Sequence, residues 1–256
     1  TLILGLTLVV GCSKNPEAQF AWRDSTDNLI PDARKAVQKT VNDAFGTPHD
    51  LIAWERLPVD FGGVQGTVQP AAEGSTPAAD AISVQWDGPT EQIKTGAPVI
   101  FLAGQRAASK DPTAKVASFN AKTSQLTLTL PKGDAIVAGD RLAVGFGSHL
   151  QLGRAVYMKN CHHCHGVAGD GNGPTAQYLN PRPRDYRLGL FKFTGTQSAE
   201  KASRDDLTRI VQYGIPGTYM PSFLLMKPEE TKAVVEYVRW LAMRGELEKR
   251  LNDELA

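Results

Sequence analysis

The sequence predicts an α+β chain with two folded parts, a small β-barrel or β-sandwich domain followed by an all-α domain. Three observations predict it. Apolar residues alternate with polar ones in short runs between residues 51 and 148, the signature of half-buried strands. After residue 150 the apolar spacing becomes helical. Within that helical part, two of the three cysteines and three of the five histidines fall in one stretch of five residues, 161–165. The expected organisation is a truncated signal peptide over 1–11, a linker with a short helix over 12–50, a β-rich domain over 51–148 and the helical domain over 149–256.

Composition narrows the function classes. A chain of 256 residues that is 41% apolar can bury a core. Its 28 basic and 27 acidic residues leave a net charge of +1, so no global field selects nucleic acid as a partner. Three cysteines are too few for a disulfide scaffold.

The N-terminal run TLILGLTLVV carries no charge and leads into GCS, a pattern like the lipobox of bacterial lipoprotein signal peptides. Cys12 is then the expected lipidation site. Acyl chains on it would hold the protein to a membrane, since each buried methylene contributes about 0.8 kcal/mol. The competing reading is an uncleaved membrane anchor: the run as it stands is too short to span a bilayer, but residues upstream of it could extend it. Both place the bulk of the protein on the periplasmic side of a bacterial membrane, with inner and outer membrane left open. Residues 13–28 are polar and aperiodic and read as a tether. Pro31 then opens a helix with Val37, Val41 and Phe45 spaced by four, which Gly46 stops.

In the β-rich part, Ile82, Val84 and Trp86 alternate with polar neighbours, as do Leu126, Leu128 and Leu130, and Leu142, Val144 and Phe146. The stretch PAAEGSTPAAD at 70–80 reads as a loop between strands. No cluster of titratable or nucleophilic residues marks this domain for chemistry, so its expected role is structural or docking.

Three helices follow. The first, LGRAVYMKNC, sets Gly153 and Tyr157 one turn apart on one face. A capping box of Ser203 with Asp206 opens the second, which carries Leu207, Ile210 and Val211 and closes at Gly214. Pro228 with Glu229 and Glu230 opens the third, along which Val234, Tyr237, Val238 and Leu241 form one stripe.

Cys161-His162-His163-Cys164-His165 has the C-x-x-C-H spacing of c-type haem attachment. Two thiols three residues apart can each form a thioether along one porphyrin edge, and the next residue brings an imidazole to the iron. A closed zinc site would need four ligands, and His49 and His149 stand isolated. A thioredoxin-like thiol pair would open a helix after a strand, whereas here a helix precedes the pair and a glycine-rich loop follows it. His162 and His163 are expected to be solvent-facing spacers.

From its first helix through CHHCHG, the GIPGTYMPSF loop and the VVEYVRWL helix, the stretch 150–245 resembles class I cytochromes c. The resemblance implies a monohaem, all-α domain. It implies one covalent haem c with Cys161 and Cys164 as attachment points, His165 as proximal ligand and Met220 as the second axial ligand, Met226 being the competing methionine. It further implies that Gly153 and Tyr157 cross against Tyr237, Trp240 and Leu241. A proline carbonyl would hold the outer nitrogen of His165, Pro183 by preference and Pro181 as the alternative. One or two of Arg182, Arg184, Tyr186, Arg187 and Lys192 would neutralise the propionates, and Phe191, Phe193, Tyr219 and Phe223 would line the pocket.

The function these readings imply is electron transfer by a membrane-tethered carrier rather than an enzyme, working with redox protein partners or a membrane respiratory complex. The alternatives are a haem enzyme that reduces a small molecule such as peroxide at an open axial position, and a lipoprotein whose β module performs the main task.

Overall fold

The computed structural model describes residues 18–71, 81–109, 113–130, 135–196 and 200–255. The expected signal peptide, Cys12 and most of the 70–80 loop lie outside the described residues. The α+β expectation holds, and the β part closes into a barrel rather than a sandwich.

Six antiparallel strands form it: β1 (Val64–Val68), β2 (Ala81–Trp86), β3 (Pro98–Ala103), β4 (Thr113–Asn120), β5 (Gln125–Thr129) and β6 (Arg141–Val144). Their order around the barrel is β1-β2-β5-β4-β3-β6, so that β6 returns to pair with β1 and no sheet edge stays open. The period-2 pattern works as expected: Ile82 and Val84, Leu126 and Leu128, and Leu142 and Val144 all point into the barrel core with Val64, Val99, Phe101 and Val116. Phe146, the last residue of the third alternating run, lies beyond β6 and packs on Phe61 with ring centroids 5.3 Å apart. Between Val116 and Ser118 the register of β4 against β5 shifts, and a second shift falls between Phe101 and Ala103. Such shifts bend a strand and help a small sheet close.

The helical part comprises α1 (Asp24–Asp27), α2 (Pro31–Phe45), α3 (Ser148–Asn160), α4 (His162–His165), α5 (Arg204–Tyr213) and α6 (Pro228–Leu255). The α6 helix is the spine on which the others rest. At Gly153 the backbones of α3 and α6 approach so closely that a Cβ there would sit 2.2 Å from the Ala233 carbonyl oxygen. Tyr157 then meets Tyr237 one turn on, ring centroids 5.2 Å apart, and Tyr237 stacks on Trp240 at 5.7 Å. The Ser203 and Asp206 capping box forms, each side chain engaging the other's backbone N–H.

Residues 18–28 are a correction to the expected tether. Phe20 is buried against Trp240, and the Arg244 guanidinium lies 4.4 Å from the Phe20 ring and 4.7 Å from that of Trp22. Glu248, fully buried, accepts from the Arg23 N–H at 2.7 Å and from the Thr26 hydroxyl at 2.6 Å. Polar composition hid this because the segment answers a polar stripe on the distal half of α6, an arrangement no local pattern reveals. Val37 and Val41 of α2 bury beside it, against Leu247 and Leu251.

A buried carboxylate joins the barrel to the helices. Glu236 accepts from the Asp60 N–H at 2.9 Å, from Arg239 at 2.8 Å and from the Arg204 guanidinium. Arg204 also donates to the Pro58 carbonyl at 3.1 Å, and Lys232 pairs with Asp60 at 2.7 Å. Burial works to raise the Asp60 carboxyl, but hydrogen bonds from Lys232 and Gly62 and the His149 charge outweigh it and hold it below the ordinary value.

Candidate haem attachment site

The α3 helix passes almost directly into the single turn α4, and this continuity sets the geometry of the cysteines. The N–H groups of Cys164 and His165 both donate to the Cys161 carbonyl, at 3.1 and 2.9 Å, so one turn carries both thiols and the imidazole. Both thiols are free and half-buried. Burial, with a smaller contribution from Cys164, pushes the Cys161 thiol up to about 12. A redox-active thiol is held low instead. Among the described residues, no group of three or more histidine, cysteine or acidic side chains is arranged to hold a metal ion.

The loop after the attachment turn folds back onto it. Gly171, Gly173 and Thr175 donate their N–H groups to the carbonyls of His165, Cys164 and His163, at 3.0, 3.1 and 2.9 Å. These bonds satisfy carbonyls that the helix end would otherwise leave open.

His165 Nδ1 lies 3.3 Å from the Arg184 carbonyl oxygen. A carbonyl can only accept, so Nδ1 carries the proton and Nε2 keeps its lone pair free for a metal. Burial lowers the imidazole below the ordinary histidine value; the Arg184 contact opposes this and His163 adds to it. The expected partner was Pro183, with Pro181 second. The structure moves the role one residue on, because the chain turns so that the Pro183 carbonyl lies against Gly171, 2.6 Å from where a Cβ would stand. Arg184 supplies a main-chain oxygen, so side-chain identity gave no signal for it.

The remaining expectations divide. Met220 sits half-buried in the loop before α6, its N–H bonded to the Thr218 hydroxyl at 3.1 Å and its carbonyl to the Ile215 N–H at 3.2 Å. Met226 packs against the same hydrophobic core as Cys161 and lines a 570 Å³ cavity with Leu152, Val156, Phe223 and Leu225, whose wall also includes Lys159 and Asn160 just before Cys161. His163 is exposed, as a spacer should be, whereas His162 is half-buried. Arg187 is buried and held bidentately by Asp185, and Tyr186 is buried with its hydroxyl on Tyr157, so neither is free for a propionate. Arg182, Arg184 and Lys192 stay exposed. Phe191 stacks on Tyr186, but Phe193 and Tyr219 are each 63% exposed.

The residues present fit a haem. Two thiols outside any disulfide and an imidazole of fixed tautomer share one turn, and they match the attachment and ligand groups that a haem c requires.

Residues 150–242 match the cytochrome c family. This stretch is similar to a cytochrome c domain. Such a domain implies a covalently bound haem c and haem-based electron transfer. No curated protein matches the chain. Among solved structures, a chain of the Kuenenia stuttgartiensis reducing HAO-like protein complex Kustc0457/Kustc0458 is 32% identical over 35% of this chain, with a TM-score of 0.34. The match spans 40% of that protein's length. Outside the cytochrome c domain, no helix among the described residues is long and apolar enough to cross a membrane, and none within it is either.

Proposed function

We propose that the protein is a membrane-tethered monohaem electron carrier that works as a subunit or partner of a larger redox complex. Cys161 and Cys164 would hold the haem, His165 and Met220 would ligate its iron, and Cys12 would bear the lipid. The observation that carries the reading is the His165 contact with the Arg184 carbonyl, because it presents Nε2 unprotonated beside two free thiols. A single C-x-x-C-H pattern supports one haem.

The bound haem iron supplies a reversible one-electron couple. The chain's own residues set its terms. The Arg184 carbonyl raises the basicity of His165 and fixes its ring plane. Met220 would supply a soft thioether, a donor that favours the reduced metal. Half-burial of both cysteines and of His165 limits water at the site, which reduces reorganisation when charge changes.

The oxidised, haem-loaded protein is expected to be low-spin and to show a methionine-to-iron charge-transfer band. Met220→Ala should abolish that band and lower the midpoint potential, whereas Met226→Ala should preserve it. A high-spin wild type indifferent to Met220→Ala would instead favour a haem enzyme with an open axial position.

A further inference from the structure

We propose that Tyr157 and Tyr186 form a hydrogen-bonded pair that positions His165 and thereby helps to set the reduction potential of the haem. This inference rests on His165 being an axial ligand.

The pair grips the histidine from both sides along the chain. The Tyr157 hydroxyl, on α3, donates to the carbonyl of Gly166, the residue directly after His165, at 2.7 Å. The Tyr186 hydroxyl donates to that of Tyr157 at 2.5 Å. Tyr186 stands two residues beyond Arg184, whose carbonyl takes the Nδ1 proton. One continuous set of hydrogen bonds therefore links the backbone that carries His165 to the loop that orients its ring.

Tyr186 is closely held. Its N–H donates to the Gly169 carbonyl at 3.1 Å, and a Cβ at Gly169, where φ is +76°, would fall 2.3 Å from its ring. Its ring lies 5.3 Å from the His165 imidazole and stacks on Phe191 at 5.8 Å. Tyr157 is fully buried and Tyr186 is 4% exposed. Apolar packing alone would be met by phenylalanine at both positions. A core needs no hydroxyls, and burying two of them is tolerated here because each finds a partner.

Loosening this set lets the Arg184 carbonyl drift from Nδ1. His165 then becomes a weaker donor, the oxidised metal loses stabilisation, and the potential rises. The test uses the haem-loaded full chain with Tyr157→Phe, Tyr186→Phe, the double variant and the control Tyr237→Phe, which removes a buried hydroxyl that makes no hydrogen bond. Midpoint potential and exchange of the His165 Nδ1 proton are measured, the latter by NMR. Each single variant should raise the potential and speed exchange on the order of tenfold, the scale of one net hydrogen bond. The double variant should go no further than the larger single, because the two hydroxyls act as one unit. Unchanged potential and exchange in both single variants, even with lowered melting temperatures, would overturn the proposal. So would strictly additive shifts. A wild type that takes up no haem would overturn this proposal together with the haem reading, whereas a loaded wild type with indifferent variants would overturn this one alone.

Discussion

Gly153 shows how one missing side chain sets a helix crossing. Inside a helix, glycine is about 1 kcal/mol worse than alanine, so its presence in α3 needs a compensating gain. That gain is the contact with the Ala233 carbonyl and the Tyr237 side chain, which no Cβ could share. Gly153→Ala should therefore destabilise the protein by about 1–3 kcal/mol through overpacking, despite the better helix propensity. Urea unfolding would measure it, and a neutral or stabilising result would mean that the helices can separate freely. At this scale the sequence was most readable where side-chain identity is the chemistry. Cys161, Cys164 and His165 announce themselves by spacing, and the structure sets them on one turn. The carbonyl opposite His165 was misplaced by one residue because every residue has a carbonyl, and only the path of the chain decides which one faces the ring.

Among the elements, α6 shows both what a pattern reveals and what it hides. Its first half carries the Val234, Tyr237, Val238 and Leu241 stripe, legible from spacing; Val238 is half-buried and the others are buried. Its second half buries Arg244, Glu248 and Asn252, polar residues that look solvent-facing in sequence. They are buried because residues 18–28 cover them: the Asn252 side-chain amide donates to the Ser25 and Thr26 hydroxyls at 2.9 and 2.8 Å. Neither partner reads as a core element alone, so only their pairing makes one. Phe20→Ala should cost about 3 kcal/mol, the scale for emptying a buried aromatic site. Thermal or urea denaturation of the full chain checks it, and a loss within about 0.5 kcal/mol would restore the tether reading for this segment. The barrel strands were easier to read because alternation survives in each strand separately. Closure of the barrel was not legible, since it depends on β6 reaching β1 across the 72 residues from 69 to 140.

In the whole molecule, the barrel and the cytochrome c domain share a junction built from charge. Glu236 sits at its centre, 1% exposed, with Arg204 and Arg239 on it and the Asp60 backbone beneath. Leaving such a carboxylate without its cations would cost several kcal/mol, so the junction favours one relative placement of the two parts. The attachment turn follows directly from α3, whose first residues touch that junction: the His149 N–H donates to the Phe61 carbonyl at 3.0 Å. The segment that leads into β1 thus braces the helix that presents the cysteines. All of this serves electron transfer only if haem is covalently attached. The most direct test is the intact mass of the full chain after expression with a c-type haem maturation system, with peptide mapping of residues 159–174. The account predicts the mass of one haem, carried by thioether bonds on Cys161 and Cys164 and lost from the Cys161→Ala, Cys164→Ala double variant. A fully matured protein with no added mass and with both thiols open to alkylation would contradict it.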